Sequence, residues 1–353
     1  MVPHTWKVTG IRRRIELLFI SSLFIVDNSA PSVGVASPVP PKGSNYPNPE
    51  PCTGNCTWVH DPNVIYKDST YYRFSTSGNI AIATAPRLTG PWKYQGALLD
   101  NGTSIFVTKG QDIWAPDVTL VDGTYYAYYA VSIFGSQLSQ IGVATSKSLR
   151  PGTWTDHGSL NIPKSSDYNL IDPNLLYDPK QPSAPPYLVL GSYWDGIFQT
   201  PLTDLTTFDE GILTDIIRNS TTNSKVVEAG FQFAYGGFYY LFFSSGACCN
   251  VPPNLAPAGY EYSVMVCRSS RITGPFVDQD GKSCVKGNGG TEVLASHGNV
   301  YAPGGQGVMI ENGSNKVVLY YHYVNPKIGY DATQFQFGFN YLDFETGWPK
   351  VVG

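Results

Sequence analysis

The chain has 353 residues, of which 42% are hydrophobic, so it can bury a large core. Its formal net charge is −4, with no basic block beyond the N-terminus. Nucleic acid is therefore an unsuitable partner, because phosphate binding needs clustered Lys and Arg. With 36 Gly, 27 Pro and 24 Tyr but only 14% charged residues, the composition favours strands and turns, and we expect an all-β protein.

The first 30 residues have the order of a secretory signal. Arginines at Arg12 to Arg14 precede an apolar run at 17–26, and small residues follow at Ser29 and Ala30. The run is too short to span a bilayer comfortably, so we expect a secreted, extracellular protein without membrane association after processing. An unprocessed apolar segment and a misassigned start codon are the alternatives.

A proline-rich stretch separates this leader from the rest of the chain. Residues 31–51 contain seven prolines, which is typical of an extended linker without a core of its own. The sequence therefore predicts a leader at 1–30, a linker at 31–51 and one folded catalytic domain at 52–353.

Six cysteines, an even number, indicate disulfides formed in an oxidising compartment, although six cysteines allow 15 connectivities. No cysteine pair has zinc-site spacing backed by a second pair, so a metal–thiolate site is rejected. Four glycosylation sequons, beginning at Asn55, Asn101, Asn219 and Asn312, agree with a secreted product. The pairings considered are Cys267 with Cys284, which is preferred, then Cys52 with Cys56 and the neighbours Cys248 with Cys249.

One short pattern recurs five times. Counting from Asp61, the next carboxylates fall 56, 55 and 56 residues on, at Asp117, Asp172 and Glu228, and the last interval is longer. A fixed period of this size indicates a repeat architecture. The five copies are His60-Asp61-Pro62-Asn63-Val64, Trp114-Ala115-Pro116-Asp117-Val118, Ile171-Asp172-Pro173-Asn174-Leu175, Val227-Glu228-Ala229-Gly230-Phe231 and Tyr301-Ala302-Pro303-Gly304-Gly305.

An aromatic run of strand-forming residues follows each copy, and a second such run follows most of them. Each unit thus predicts a small antiparallel sheet of about four strands, and five such sheets arranged radially make a five-bladed β-propeller. A β-sandwich is the competing plan, but it predicts no 55-residue period. In a propeller the repeated pattern would start the innermost strand of every blade, so its side chains would converge at one mouth of the central channel.

The carboxylates of the pattern suit hydrolytic chemistry. Asp61 and Asp172 each precede proline, which restricts a residue to extended conformations and would hold the carboxylate on a stiff backbone. Asp-Pro is also common in turns for the same reason. Two such pairs at equivalent repeat positions, with Glu228 in a third, favour a functional role. Hydrolysis of a glycosidic bond needs two carboxyl groups in opposite protonation states, and crowding and burial can raise one pKa to separate them.

The repeated motifs resemble those of glycoside hydrolase family 43, and further motifs elsewhere in the chain resemble those of its fungal endo-1,5-α-L-arabinanases. The resemblance runs in order from about Cys52 to Gly353. It implies a five-bladed propeller, an inverting mechanism and α-1,5-linked arabinan, a pectin side-chain polysaccharide, as substrate. These further motifs are residues 130–137, Gly191-Ser192-Tyr193-Trp194-Asp195, Gly246-Ala247-Cys248-Cys249, residues 296–301 and Tyr320-Tyr321-His322-Tyr323.

The resemblance also implies roles for individual residues. Asp61 matches the general base, Glu228 the general acid, and Asp172 the third carboxylate that orients Glu228 and keeps its pKa raised. His322 matches a histidine that helps to hold a metal ion, often calcium, on the axis through water; no organic cofactor is implied. The chain departs from the family pattern at Gly230, where many members have proline.

Four further side chains are candidates for binding sugar. Trp114 and Trp194 could stack on sugar faces, although aromatics more commonly pack in blade cores. Asp117 could bond a sugar hydroxyl or tie the start of its blade, and Asn174, two residues after Asp172, is a further candidate. Glu261 lies outside the repeat register and is expected at the surface. We expect a monomer.

Other functions remain open on the same fold. An exo-acting arabinanase, an arabinofuranosidase or a β-xylosidase would differ in the loops, which decide between an open groove and a closed pocket. A fructan hydrolase would be expected to have Asn and Cys where this chain has His60 and Ala229. A sugar-binding propeller without catalysis would be expected to lose one of the three carboxylates, and all three are present.

Overall fold

The computed structural model describes residues 46–177, 184–194, 196–208, 211–219 and 226–353. The predicted leader and residues 31–45 of the predicted linker lie outside the described residues. Within the described residues, no helix is long and apolar enough to cross a membrane.

The described chain forms five sheets of four strands, and each sheet is built from consecutive antiparallel strands. The five-bladed β-propeller predicted from the repeat is confirmed. Blade 1 consists of β1 Asn63–Lys67, β2 Thr70–Ser75, β3 Ala81–Ala85 and β4 Lys93–Ala97. Blade 2 consists of β5 Asp112–Val121, β6 Thr124–Ser132, β7 Gln140–Ser146 and β8 Thr155–Ser159. Blade 3 consists of β9 Asn174–Leu176, β10 Tyr187–Leu190, β11 Gly196–Pro201 and β12 Thr214–Arg218. Blade 4 consists of β13 Val227–Tyr235, β14 Phe238–Ser245, β15 Ser263–Ser269 and β16 Thr291–Leu294. Blade 5 consists of β17 Tyr301–Ile310, β18 Val317–Val324, β19 Gln336–Asp343 and β20 Lys350–Val352, and a turn of 3₁₀ helix at Ala332–Gln334 precedes β19.

The cores lie between neighbouring blades rather than within them. Among the described residues, one cluster of buried side chains fills each gap between blades 1 and 2, 2 and 3, 3 and 4, 4 and 5, and 5 and 1, and a sixth, around Tyr262 and Phe335, adds to the gap between blades 4 and 5. The second strand of a blade is therefore covered on both faces: in β6 and β14 most residues are buried, and both strands are runs of aromatic and small residues. Because each blade supplies half of two cores, no blade can bury its faces without both neighbours.

The segment 46–59 closes the ring at the seam between blades 1 and 5. On the blade 5 side, the backbone of Phe337 donates to Cys56 (2.8 Å) and that of Glu50 donates to Phe339 (2.8 Å). On the blade 1 side, the backbone N–H of Trp92 donates to the Thr53 carbonyl at 2.9 Å. Residues 46–51, predicted as linker, are thus part of the folded ring, because their backbone is bonded to it.

Arg73 is buried at the same seam, with 2% of its surface exposed. Its guanidinium lies 4.7 Å from the centre of the Trp92 ring and 4.9 Å from that of Phe337, and it donates to the Asn55 carbonyl at 2.7 Å. Burial lowers the pKa of Arg73 to about 9. One cation between two aromatic rings therefore joins the first blade, the last blade and the N-terminal segment.

The three cysteine pairings considered from the sequence are all present: Cys52–Cys56, Cys248–Cys249 and Cys267–Cys284. Among the sequons, Asn55, Asn101 and Asn312 are exposed.

Trp92 tests the importance of the seam. We expect Trp92→Ala to lower the free energy of unfolding by about 3–5 kcal/mol, the usual range for removing a buried large aromatic side chain. Trp92 is 1% exposed and packs in the core between blades 5 and 1. Guanidinium-induced unfolding, followed by tryptophan fluorescence and circular dichroism, measures the change.

Tyr94→Ala is the matched control, because Tyr94 is 57% exposed on the outer strand of the same blade. Its loss should change the free energy of unfolding by less than about 0.5 kcal/mol. Equal effects of the two substitutions would show that the seam adds nothing special to the stability of the ring.

Candidate active site

The same backbone turn begins the inner strand of every blade. Near the start of each inner strand one residue has left-handed backbone geometry, and in four of the five blades the next residue is proline. An extended backbone predicted for Asp61 and Asp172 from the following proline is wrong: their φ angles are +44° and +53°. Conformations of this kind are costly and are held by surrounding structure. The five residues are Asp61, Ala115, Asp172, Ala229 and Ala302.

This turn corrects the register assumed from the sequence. Asp117 lies two residues beyond the left-handed Ala115, so it is not the counterpart of Asp61, and Glu228 lies one residue before the left-handed Ala229. The true counterparts of Asp117 are Asn63 and Asn174. The site therefore has two layers: an upper layer that carries the three predicted carboxyls, and a lower layer two residues deeper along each strand.

Asp61 is held by three polar neighbours. Its Oδ2 lies 2.9 Å from His60 Nδ1 and accepts from the Thr76 hydroxyl at 3.0 Å, and its backbone N–H donates to His322 Nδ1 at 3.1 Å. Burial alone would raise the pKa of Asp61, but the neighbouring His60 charge and the His60 hydrogen bond outweigh it and lower the pKa below its ordinary value. Asp61 is therefore ionised.

Asp172 and Glu228 are linked across the gap between blades 3 and 4. The Ala229 N–H donates to Asp172 Oδ2 at 2.9 Å, and the Tyr262 hydroxyl donates to Glu228 Oε1. Burial, together with the nearby Glu228 and Asp61 charges, raises the pKa of Asp172 well above its usual range. Burial raises the pKa of Glu228 to about 7, although the bond from Tyr262 opposes the shift. The cluster thus separates an ionised Asp61 from a protonated Glu228 near neutral pH.

The lower layer is a network of hydrogen bonds centred on Asp117. Its Oδ1 accepts from the side-chain amides of Asn63 (3.1 Å) and Asn174 (2.9 Å), and its Oδ2 accepts from the Leu175 N–H (2.9 Å). Burial raises the pKa of Asp117 to about 6. The structure thus places Asp117 and Asn174, the predicted sugar ligands, where their polar atoms tie blades 1, 2 and 3 together.

A small cavity lies between the two layers, on the axis where the inner strands converge. Two of the predicted carboxylates, Asp61 and Asp172, line it, and so does the backbone next to Glu228. The rest of the lining comes from the inner strands of all five blades: Pro62, Asn63, Ala115, Pro116, Asp117, Pro173, Asn174, Ala229, Gly230, Phe231, Gly305 and Gln306. Residues far apart in sequence are thereby gathered around one hollow.

Glycine at two positions is explained by close packing. A Cβ on Gly230, the departure from the family pattern, would lie 2.8 Å from side-chain atoms of Val189 and Ile197. A Cβ on Gly305, whose φ is +55°, would collide with Asp61 Oδ1 and with His322. Gly230 therefore serves the packing of blade 4 on blade 3, and Gly305 makes room for the Asp61 carboxylate.

Sequence reasoning missed the residues that fix Glu228. Tyr262 is 4% exposed and directly precedes β15, outside the repeated pattern. Gln306 donates to the Ala229 carbonyl at 2.7 Å and accepts from Ser244 at 2.8 Å. Glu261, expected at the surface, is 7% exposed and accepts from the Gly259 N–H at 2.6 Å, so that expectation is wrong.

The two candidate tryptophans lie in different surroundings. Trp114 is half-buried in β5 beside the cavity residue Ala115, whereas Trp194 is 41% exposed. Trp194 packs edge to face with Tyr193, which is 47% exposed, at 5.5 Å between ring centroids. Both rings belong to the connection between β10 and β11, which emerges at the end of the propeller where the inner strands begin.

His322 is 1% exposed on β18 and stacks on His60 at 3.9 Å between ring centroids. Its Nδ1 accepts from the Asp61 N–H, so Nε2 carries the proton in the neutral ring; Nε2 is buried without a hydrogen-bond partner among the described residues. Burial lowers the pKa of His322 to about 4. Cys248 lies near both histidines, but its sulfur is in a disulfide and offers no thiolate to a metal.

Known proteins resemble this chain over most of its length. The family model for glycosyl hydrolases family 43 matches residues 57–349. A probable arabinan endo-1,5-α-L-arabinosidase C from Aspergillus niger is 47% identical over 311 residues, which are 87% of this chain and 95% of that protein.

Solved structures share the fold. An exo-1,5-α-L-arabinanase from a bovine ruminal metagenomic library has a TM-score of 0.72 at 30% identity and covers 84% of this chain and 97% of its own. An α-L-arabinanase from Cellvibrio cellulosa, complexed with arabinohexaose, has a TM-score of 0.71 at 27% identity, with 83% and 95% covered. The resemblance stated from the sequence is confirmed, and the chain belongs to family 43 of the glycosyl hydrolases.

Proposed function

We propose that this chain hydrolyses internal α-1,5-L-arabinofuranosidic bonds of arabinan by an inverting, single-displacement mechanism. The observation that carries the proposal is the placement of Asp61 and Glu228 beside one axial cavity, in surroundings that lower the pKa of Asp61 and raise that of Glu228. Opposite states are what acid–base cleavage of a glycosidic bond needs.

In the proposed reaction Asp61 is the general base. It takes a proton from a water molecule while the water oxygen bonds to the anomeric carbon. Glu228 is the general acid and gives its proton to the glycosidic oxygen as the bond from that oxygen to the anomeric carbon breaks. The reaction leaves Asp61 protonated and Glu228 ionised, and exchange with solvent restores both groups.

Asp172 acts on the acid rather than on the substrate. It accepts from the N–H of Ala229, which fixes the backbone beside Glu228, and its proximity makes two ionised carboxyls unfavourable. Burial of Glu228, with the Asp61 charge nearby, keeps the proton on Glu228 until the transition state.

Arabinan as substrate is supported by the relatives, whose names place endo- and exo-arabinanases on this fold. The endo mode is favoured because the Aspergillus niger relative, at 47% identity, is an endo enzyme by name. We propose that Trp194 and Trp114 stack on sugar rings and that Asp117 and Asn174 shape the floor of the cavity. A binding propeller without catalysis is the second candidate, and the complete set of three carboxyls argues against it.

We also propose that a cation, preferably calcium, is held near the axis through water by His322. The buried Nε2–H of His322 fits this, because it can donate to a water molecule but cannot ligate a metal directly. The ion would supply positive charge beside the carboxyl cluster. Secretion is a further proposal, supported by the three disulfides and by exposed sequons. We propose that the secreted protein is a monomer.

Products from debranched linear arabinan test the reaction. We expect a mixture of oligosaccharides early in the reaction, with new reducing ends that are first β-configured because the bond to the α-anomeric carbon is inverted. Chromatography of the products and ¹H NMR of the first turnovers measure both. One small product from the start would indicate exo action, and no release with retained binding would indicate a binding protein.

The carboxyl variants belong to the same experiment. Asp61→Asn and Glu228→Gln should each lower kcat by roughly 10²–10⁴, the usual contribution of an acid or base. Glu345→Gln, an exposed carboxylate in the last turn of blade 5, should leave kcat unchanged. Near-normal turnover in either carboxyl variant would remove that residue from its role.

The pH dependence tests the contact between Tyr262 and Glu228. Activity should fall as the pH rises through about 7, because Glu228 then loses the proton it must donate. The bond from Tyr262 stabilises the ionised form and lowers the Glu228 pKa, so Tyr262→Phe should move the alkaline limb to higher pH. A weaker acid also donates less readily, and kcat at the optimum should fall by roughly 10-fold.

Tyr94→Phe provides the comparison, since this exposed ring lies on the outer strand of blade 1. Its profile should match that of the wild type. An alkaline limb unmoved by Tyr262→Phe would show that another group sets the upper pKa.

The cation is tested by metal content and stability. Purified protein should contain about one calcium ion per chain, and its removal by EDTA should lower Tm. If the free calcium concentration was about 100 times Kd before removal, the loss of stability is about 2.7 kcal/mol. His322→Gln should lose the ion, while His157→Gln, at an exposed histidine of β8, should keep it. A metal-free protein whose Tm does not respond to added calcium would contradict the proposal.

A further inference from the structure

The adjacent cysteines Cys248 and Cys249 lie on the connection 246–262 between β14 and β15. The base of this connection is fixed by two backbone bonds, from Ala247 to the Tyr260 carbonyl (2.7 Å) and from Tyr262 to the Ala247 carbonyl (3.1 Å). Gly246 is left-handed there, and a Cβ on it would collide with the backbone of Glu261. The disulfide is therefore carried on a firmly placed backbone at the mouth of the site.

The disulfide contacts the ring of His60. The Sγ atom of Cys249 lies 3.3 Å from His60 Nε2, and that of Cys248 lies 3.8 Å from the same nitrogen. The other ring nitrogen, Nδ1, is 2.9 Å from Asp61 Oδ2. The His60 ring is also stacked with His322 at 3.9 Å and with Phe335 at 5.0 Å. Rotation of the imidazole away from Asp61 would require the sulfurs or the stacked rings to move.

A disulfide suits this contact better than two thiols would. Its sulfurs carry no hydrogen and can only accept weakly, so they do not offer a competing donor to His60 Nε2. The bond also removes the independent rotation of two cysteine side chains. The imidazole proton at Nδ1 is thereby kept towards the Asp61 carboxylate.

The arrangement selects one oxygen of Asp61 for chemistry. Oδ2 is engaged by His60 and by Thr76. Oδ1 lies 3.4 Å from His322 Nδ1, but that nitrogen already accepts from the Asp61 N–H and so has no proton to give. Oδ1 therefore keeps its lone pairs for a water molecule. A loss of this orientation would misplace the base, and misplacements of about 1 Å can cost about 100-fold in rate.

We propose that the Cys248–Cys249 disulfide is a positioning element for the general base, acting through His60. The inference rests on the proposed function, in which Asp61 is the base. His60 and the disulfide are positioning residues, because His60 acts on the Asp61 carboxylate and the disulfide acts on the His60 ring.

The test is a double-mutant cycle on debranched arabinan. Cys248→Ala/Cys249→Ala and His60→Phe should each lower kcat by about 10- to 100-fold, with KM changed less than about twofold. When the two sets of changes are combined, kcat should fall no further than in the worse of them, because both act on the same contact. His60→Asn, whose amide can donate in place of Nδ1, should recover part of the kcat lost in His60→Phe.

Cys52→Ala/Cys56→Ala is the matched control, since that disulfide also closes a short loop but lies at the seam between blades 1 and 5. It should retain wild-type kcat, and circular dichroism and Tm should show all variants to be folded at the assay temperature. An additive combined loss, or a cysteine variant with unchanged kcat, would overturn the inference while leaving the hydrolase function intact. A wild-type protein that does not cleave arabinan would instead refute the proposed function.

Discussion

The structure depends on one backbone constraint that is repeated five times: a left-handed residue at the start of each inner strand. This turn sets the depth of the side chains that follow it. Directly at the turn lie Asp61 and Asp172, and two residues beyond it lie the amides and the carboxyl that bond the blades to one another. Because the same geometry occurs in every blade, carboxyls more than a hundred positions apart meet at a common height above a common floor.

The carboxyl groups of the two layers have different roles: those of the upper layer have separated pKa values, and that of the lower layer accepts hydrogen bonds between blades. In the upper layer, burial is opposed at Asp61 by histidine, and reinforced at Asp172 by neighbouring negative charge. In the lower layer, Asp117 is surrounded by donors that take no part in proton transfer and hold the blades in register. Carboxyl groups of one chemical type thus take different roles because of their surroundings, as is common where catalysis needs separated pKa values.

The sequence was sufficient to predict the propeller and the meeting of Asp61, Asp172 and Glu228 at its axis. It suggested the three cysteine pairings but could not decide among the 15 possible connectivities. These predictions depend on local pattern and on a period. The register of Asp117 was misjudged because the repeats were aligned by their carboxylates. In the structure the equivalent residues are the left-handed ones, a conformation that the following proline was expected to exclude. Tyr262, Gln306 and the cysteine contact with His60 could not be predicted, because each lies outside the repeated pattern and reaches the site only through folding.

The seam between the first and last blades governs how the protein can be made. The Asn340 amide bonds to the Asn48 carbonyl across a sequence separation of 292 residues. On the ribosome, residues 46–59 are synthesised long before the strands of blade 5 that they must pair with. The ring therefore cannot be completed until almost the whole chain has emerged, and the apolar flank of blade 1 stays uncovered until then. Until residues 46–59 and the strands of blade 5 meet, a nascent chain of this kind exposes apolar surface that is prone to aggregation.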